Sequence, residues 1–185
     1  MSMQLFSNYH FGSMLLKNRV VMAPMTRNRC PGNLPNEMVV KYYEQRSEAG
    51  LIITEGTSPS DNGLGYPRIP GLFTGEHVKA WRPVTDAVHK AGSHIFVQLM
   101  HCGRVAHPDN MMSGLEIVAP SPIALEGEIW TDQKGMQAYQ IPEELTEAEI
   151  LSLIEEFAHS AALAIEAGFD GVELHGANGY LIDQF

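Results

Sequence analysis

Cysteine is nearly absent: Cys30 and Cys102 are the only two in 185 residues. Neither belongs to a CxxC pair or a Cys/His ligand spacing, so a disulfide scaffold, a zinc site and an iron–sulfur site are poor readings. Basic charge is also scarce, with 12 Lys and Arg against 22 Asp and Glu and a formal net charge of -10. An acidic surface repels phosphate, which argues against nucleic acid and anionic membrane surfaces as partners. No stretch approaches the ~20 apolar residues that span a bilayer. The opening residues MSMQLFSNYHFG lack the basic segment and apolar run of a secretion signal. Together these absences lead us to expect a soluble, cytoplasmic protein without a metal centre.

With 44% apolar residues, the chain has enough to build one hydrophobic core. Four short apolar runs read as strands: Arg19 to Met25, Leu51 to Thr57, His94 to Met100 and Gly171 to Gly176. Each starts almost continuously apolar, which predicts strands buried on both faces of a parallel sheet. Three helices are expected between them. Asn36 to Ala49 has Asn36 as a cap and Gly50 as a stop. Glu76 to Ala91 spaces Val78, Trp81, Val84 and Val88 at helical intervals before Gly92. Thr146 to Ala167 opens on the capping box Thr146-Glu-Ala-Glu149 and ends at Gly168.

Strands and helices alternate, which means a parallel α/β sheet, either a closed barrel or an open doubly wound form. A dinucleotide-binding fold needs a glycine-rich phosphate turn after its first strand. Here the turn reads Ala23-Pro-Met-Thr-Arg-Asn28, with no GxGxxG, and that fold drops out. Polar residues collect where strands end: Thr26, Glu55, Thr57, Gln98, His101, His175 and Asn178. In (β/α)8 barrels that rim carries the active site. Long connections, Ser58 to Thr74 and His101 to Leu145, fall on the same rim. Within the second, Gly127 to Tyr139 is a candidate hairpin.

In this order the motifs resemble the old yellow enzymes, a family of FMN-containing ene-reductases. The resemblance runs from Asn18-Arg19 and Ala23-Pro-Met-Thr-Arg27 through Leu51-Ile-Ile-Thr-Glu-Gly56 and Val97-Gln-Leu99 to Val172-Glu-Leu-His-Gly-Ala-Asn-Gly-Tyr-Leu181. It implies a (β/α)8 TIM-barrel fold, with residues 1–185 supplying about the first four β/α units, a half-barrel that forms the N-terminal half of one FMN-binding domain. A complete barrel typically needs ~250 residues or more. The expected activity is NAD(P)H-dependent reduction of the C=C bond of α,β-unsaturated carbonyl or nitro compounds through FMN, with NADPH or NADH as reductant. The alternative is a non-catalytic half-barrel, or one that needs a second half-barrel or a homo-oligomer to close the sheet and hold FMN.

The resemblance also assigns residues. His175 and Asn178 are donors to the substrate oxygen, and Tyr180 is the acid that protonates the α-carbon. Thr26 and Gln98 are flavin contacts, joined by backbone at Pro24, Met25 and Gly56, and His175 also touches the cofactor. Met100 lines the substrate pocket, and His101 reads either as pocket wall beside it or as support behind it. Met100 stands where many Thr-type relatives have Trp, which predicts a pocket of different shape. His10, His77, His89 and His159 read as structural, and Tyr42, Tyr43 and Trp81 as packing residues.

Overall fold

A computed structural model describes residues 4–185. Its centre is a four-stranded parallel sheet built from β3 (Val21–Met22), β4 (Leu51–Thr57), β5 (His94–Leu99) and β10 (Gly171–Leu174). The strands lie in the order β10-β5-β4-β3, so each is hydrogen-bonded to the next in sequence. A doubly wound sheet reverses direction at a switch point. This one progresses one way only, as a barrel wall does. The three helices cross over between strands: α1 (Glu37–Glu44), α2 (Gly75–Lys90) and α3 (Glu147–Glu166).

Local chemistry accounts for the helix ends. The Asn36 side chain accepts from the Met38 and Val39 amides at the start of α1. Thr74 caps α2, and Thr146 with Glu149 forms the complete capping box of α3. Helix α1 is shorter than its apolar pattern predicts, because Gln45 to Ala49 form turns before Gly50. The main core lies between sheet and helices, where Tyr43, Trp81, Ile52, Ile95, Val84 and Val88 are fully buried. Trp81 also donates its indole N–H to Gly71 O at 3.0 Å, as a buried Trp must. The packing assignment of Tyr43 and Trp81 is therefore correct.

Two expectations about the strands need correction. The first strand is only Val21–Met22 rather than Arg19 to Met25, because ladder pairing with β4 holds only at Leu51 and Ile52. Burial on both faces holds for β4 and β5 but fails at the edges: Val21 is 47% and Leu174 58% exposed. Among the described residues, both edge strands lack a neighbour on one side. Between β10 and α3 an open apolar groove of about 420 Å3 is lined by residues including Leu153, Ile154, Phe157, Val172 and Leu174. The long third connection has structure of its own. Strands β7 (Glu128–Thr131) and β8 (Gly135–Ala138) form the hairpin expected there, and β6 (Val118–Ala119) pairs with β9 (Glu143–Glu144). Near the N-terminus, β1 (Tyr9–Phe11) and β2 (Met14–Leu16) make a further hairpin.

At the opposite end of the sheet Asp170 holds three elements together. Its carboxylate accepts from the Ile95 amide at 2.8 Å and contacts His89 Nε2 at 2.8 Å and His94 Nδ1 at 3.2 Å. Partial burial pulls its pKa up, but hydrogen bonds from His89, Ile95 and His94 outweigh that and leave it below the ordinary aspartate value. A depressed folded-state pKa gives stability that is present above the unfolded pKa and lost as pH falls through the folded one. Asp170→Ala is expected to cost about 2 kcal/mol at neutral pH. Denaturant midpoints check this, and the gap from the parent should shrink only below the normal aspartate range.

Candidate active site

Strand alternation fixes which side chains face the inner side of the sheet. In β10, Val172 and Leu174 line the groove against α3, so Glu173 and the following His175 project the other way. Gln98 of β5 lies beside Glu173 and Gly56 in register, which puts Gly56, Gln98 and Glu173 in one layer across three strands. Above that layer is a cavity of about 250 Å3. It is lined by Pro24, Thr26, Gly56, Gln98, Met100, His175, Asn178 and Tyr180. Residues 24 to 180 in sequence thus converge at the C-terminal ends of the strands.

The turn after β10 arranges three functional groups. Asn178 has φ 58° and Gly179 φ 75°, a left-handed pair that asparagine tolerates and glycine adopts freely. The turn is held by the Gly179 amide, which donates to Asp183 Oδ2 at 2.8 Å. His175 Nδ1 accepts from the Ala177 amide at 3.3 Å. The neutral ring must therefore carry its proton on Nε2. Asn178 Nδ2 lies 3.4 Å from that Nε2. Two donors thus stand side by side at one point of the cavity. The His175 and Tyr180 rings meet edge-on with centroids 4.8 Å apart.

Tyr180 is also hydroxyl to hydroxyl with Tyr66 at 3.1 Å. Burial raises the Tyr180 pKa, with the Cys102 thiol adding to the rise and the Tyr66 hydrogen bond opposing it. The phenol is accordingly protonated at neutral pH. Tyr66 is shifted upward too, by burial first and then by its bond to Tyr180. Nothing in the sequence pointed to Tyr66, which is 114 positions away and lies in the long loop after β4.

Two expected site residues are not in the cavity wall. Of the two readings of His101, the structure fits the supporting one and not the pocket wall: it is 2% exposed and turned into the loop packing. There its Nδ1 accepts from the Gly103 amide at 3.0 Å and its carbonyl accepts from the Leu181 amide at 3.0 Å. Desolvation drives its pKa down to about 3, so it is a neutral brace for the Tyr180–Leu181 turn. Met25 points outward and is about half exposed; its neighbours Pro24 and Thr26 line the cavity. Met100 does line the cavity, and its Sδ and Cε lie 2.5 Å from where a Cβ on Gly56 would stand. The absence of a side chain at Gly56 makes room for the Met100 thioether.

Two carboxylates complete the setting. Glu55, 1% exposed, accepts from the Arg27 amide at 2.9 Å and so ties down the segment that carries Thr26. Desolvation lifts its pKa to about 7, against the lowering effects of Arg27 and Tyr43. Glu173 accepts from Gln98 Nε2 at 2.8 Å. A charged residue inside an otherwise apolar strand is a visible sequence signal for both.

The family model for the NADH:flavin oxidoreductase / NADH oxidase family matches residues 4–185. The chain belongs to this family. Its members are enzymes, FMN-dependent oxidoreductases that take electrons from NADH or NADPH. The chain is 42% identical to 12-oxophytodienoate reductase 1 of Oryza sativa subsp. japonica over 182 residues, covering 98% of the chain and 47% of the relative. It is 42% identical to 12-oxophytodienoate reductase 2 of Arabidopsis thaliana over 190 residues, covering 100% of the chain and 50% of the relative. Among solved structures, an old yellow enzyme homologue from Zymomonas mobilis superposes with a TM-score of 0.92 at 44% identity. That match covers 97% of the chain and 50% of the homologue. Morphinone reductase in complex with tetrahydroNAD superposes with a TM-score of 0.90 at 39% identity, covering 97% and 51%.

The chain spans about half the length of the relatives it matches, and its sheet is a partial barrel. Among the described residues, no helix is long and apolar enough to cross a membrane, and no group of three or more His, Cys, Asp or Glu could hold a metal ion.

Proposed function

We propose that residues 1–185 form the N-terminal half of a (β/α)8 ene-reductase domain and carry its substrate-activating groups. The observation behind this reading is the convergence of His175 Nε2, Asn178 Nδ2 and the Tyr180 phenol on one cavity, whose other wall holds Thr26, Gly56 and Gln98. That wall fits the edge of an isoalloxazine. A hydroxyl from Thr26 and an amide from Gln98 are available to the ring's pyrimidine polar atoms. When bound, FMN supplies hydride to the β-carbon of an α,β-unsaturated carbonyl or nitro compound, having been reduced by NADPH or NADH.

The side chains do the rest. As hydride reaches the β-carbon, negative charge develops on the substrate oxygen. His175 Nε2–H and Asn178 Nδ2–H stabilise it as preorganised donors, and each is worth about 3 kcal/mol in sites of this kind. Tyr180 gives its hydroxyl proton to the α-carbon, and the C=C bond becomes a C–C bond with one hydrogen added at each end. Tyr66 keeps the phenol aligned while it waits. Thr26 would offer its hydroxyl to the polar edge of a bound flavin, where the reduced ring is more electron-rich. Thr26→Ala is therefore expected to lower the flavin midpoint potential by roughly 30 mV, about one hydrogen bond's worth. Spectroelectrochemical titration reads this directly, and an unmoved potential removes Thr26 from the flavin.

The open groove beside β10 supports a second element of the reading. Its apolar lining and the unpaired β10 edge suit a following β/α unit, from the same polypeptide or from an associated second half. An absorbance scan for bound FMN with NAD(P)H-driven reduction of an enone tests the proposed function. A yellow, active protein supports it. A colourless and inert one, still folded, supports the non-catalytic half-barrel instead.

A further inference from the structure

Glu173 lies below the cavity on β10, paired in register with Gln98 of β5. Its Oε1 is 2.8 Å from Gln98 Nε2. An ionised carboxylate can only accept hydrogen bonds, whereas a carboxamide has one face of each kind. If the amide turned over, two oxygens would abut at that distance. Only one orientation of Gln98 is therefore compatible with Glu173. One N–H is committed to the carboxylate, and the carbonyl Oε1 with the remaining N–H is left for the cavity. Gln98 is only 7% exposed, so little water reaches a reversed amide.

We propose that Glu173 is a positioning residue that locks the Gln98 amide so that position 98 presents an acceptor to the cofactor's ring edge. This rests on the flavin reading of the cavity given above. The only hydrogen-bond donor on the pyrimidine edge of oxidised isoalloxazine is its N3–H, flanked by two carbonyl oxygens. Glu173 thereby selects which atom of that edge Gln98 meets, without touching the ring itself.

A reciprocal exchange tests this. Gln98→Glu alone sets two carboxylates face to face. Combined with Glu173→Gln, it restores a carboxylate–amide pair with the donor now on strand β10 and an acceptor still at position 98. Four proteins, the parent, both single variants and the double variant, are compared by flavin-free thermal midpoint and by FMN dissociation constant from fluorescence quenching. Gln98→Glu alone should lower the midpoint and weaken FMN binding about tenfold or more. Glu173→Gln alone should weaken binding a few-fold, because the amide is then free to turn. The double variant should recover the midpoint and bind FMN within about threefold of the parent. Additive single effects on the flavin-free midpoint would overturn the Glu173–Gln98 lock. Coupled midpoints with FMN binding absent or identical in all four proteins would keep the lock but overturn its role toward flavin, and with it the flavin reading of this cavity.

Discussion

Tyr180→Phe is expected to slow enone reduction by about 100-fold or more while leaving reduction of the flavin by NADPH within about threefold of the parent. The asymmetry follows from where the phenol acts. Proton delivery to the α-carbon belongs only to the half-reaction that consumes the alkene. Burial holds the Tyr180 pKa above its ordinary value, so the hydroxyl is protonated across the neutral range. The substitution removes that hydroxyl and little volume, and the edge-on ring contact with His175 survives. Rapid-mixing kinetics of the two half-reactions separate the effects. Equal slowing of both would reassign Tyr180 to cofactor positioning, and no slowing of either would end its role as the acid. Nitroalkenes give a useful contrast. Their charge is delocalised over two oxygens and persists longer, so solvent can protonate the α-carbon, and the Tyr180→Phe penalty should be smaller for them than for enones.

His175→Ala should weaken binding of phenolic ligands about 30-fold, or about 2 kcal/mol. A phenolate oxygen mimics the charged oxygen of the activated substrate, and the Ala177 amide leaves His175 with its one proton on Nε2, facing that position. Asn178 Nδ2 lies 3.4 Å from it and shares the load, so Asn178→Ala should show a smaller but parallel loss. The double variant should lose less than the sum, since each donor partly replaces the other on a single oxygen. Titration of ligand into the flavin-loaded protein, followed by absorbance, gives these constants. Unchanged binding in His175→Ala would remove the imidazole from the site.

Several features could be read from the sequence because they depend on near neighbours. The Thr146 to Glu149 capping box, the Asn36 cap and the hairpin between Gly127 and Tyr139 are local patterns, and all three occur where expected. The four parallel strands follow from strand–helix alternation, and the one-way order fits the barrel of the two forms that alternation allows. The cavity wall was also largely legible: Thr26, Gln98, His175 and Asn178 lie at or just after strand ends, and the family resemblance adds Tyr180. What could not be read depends on register and on loop packing. The Gln98–Glu173 bond exists because β5 and β10 align at those two positions, and one step of slip would break it. Tyr66 meets Tyr180 through the path of an irregular loop, to which no periodicity applies. His101 carries the right chemistry for a pocket residue, but burial under Gly63 and Leu181 takes it out of the wall. The edge strands were expected to be covered on both faces because their residues are apolar. Among the described residues, nothing pairs with the outer edges of β3 and β10, so those apolar side chains stay exposed.

A crystal structure of the protein with FMN and a simple phenol would test most directly whether the three groups of the 175–180 turn act on one oxygen above a flavin. The account predicts the phenol oxygen within hydrogen-bonding distance of both His175 Nε2 and Asn178 Nδ2, the ring plane over Gly56, and Gln98 Oε1 facing N3. A phenol bound elsewhere, or a flavin lying away from Thr26 and Gln98, would contradict it.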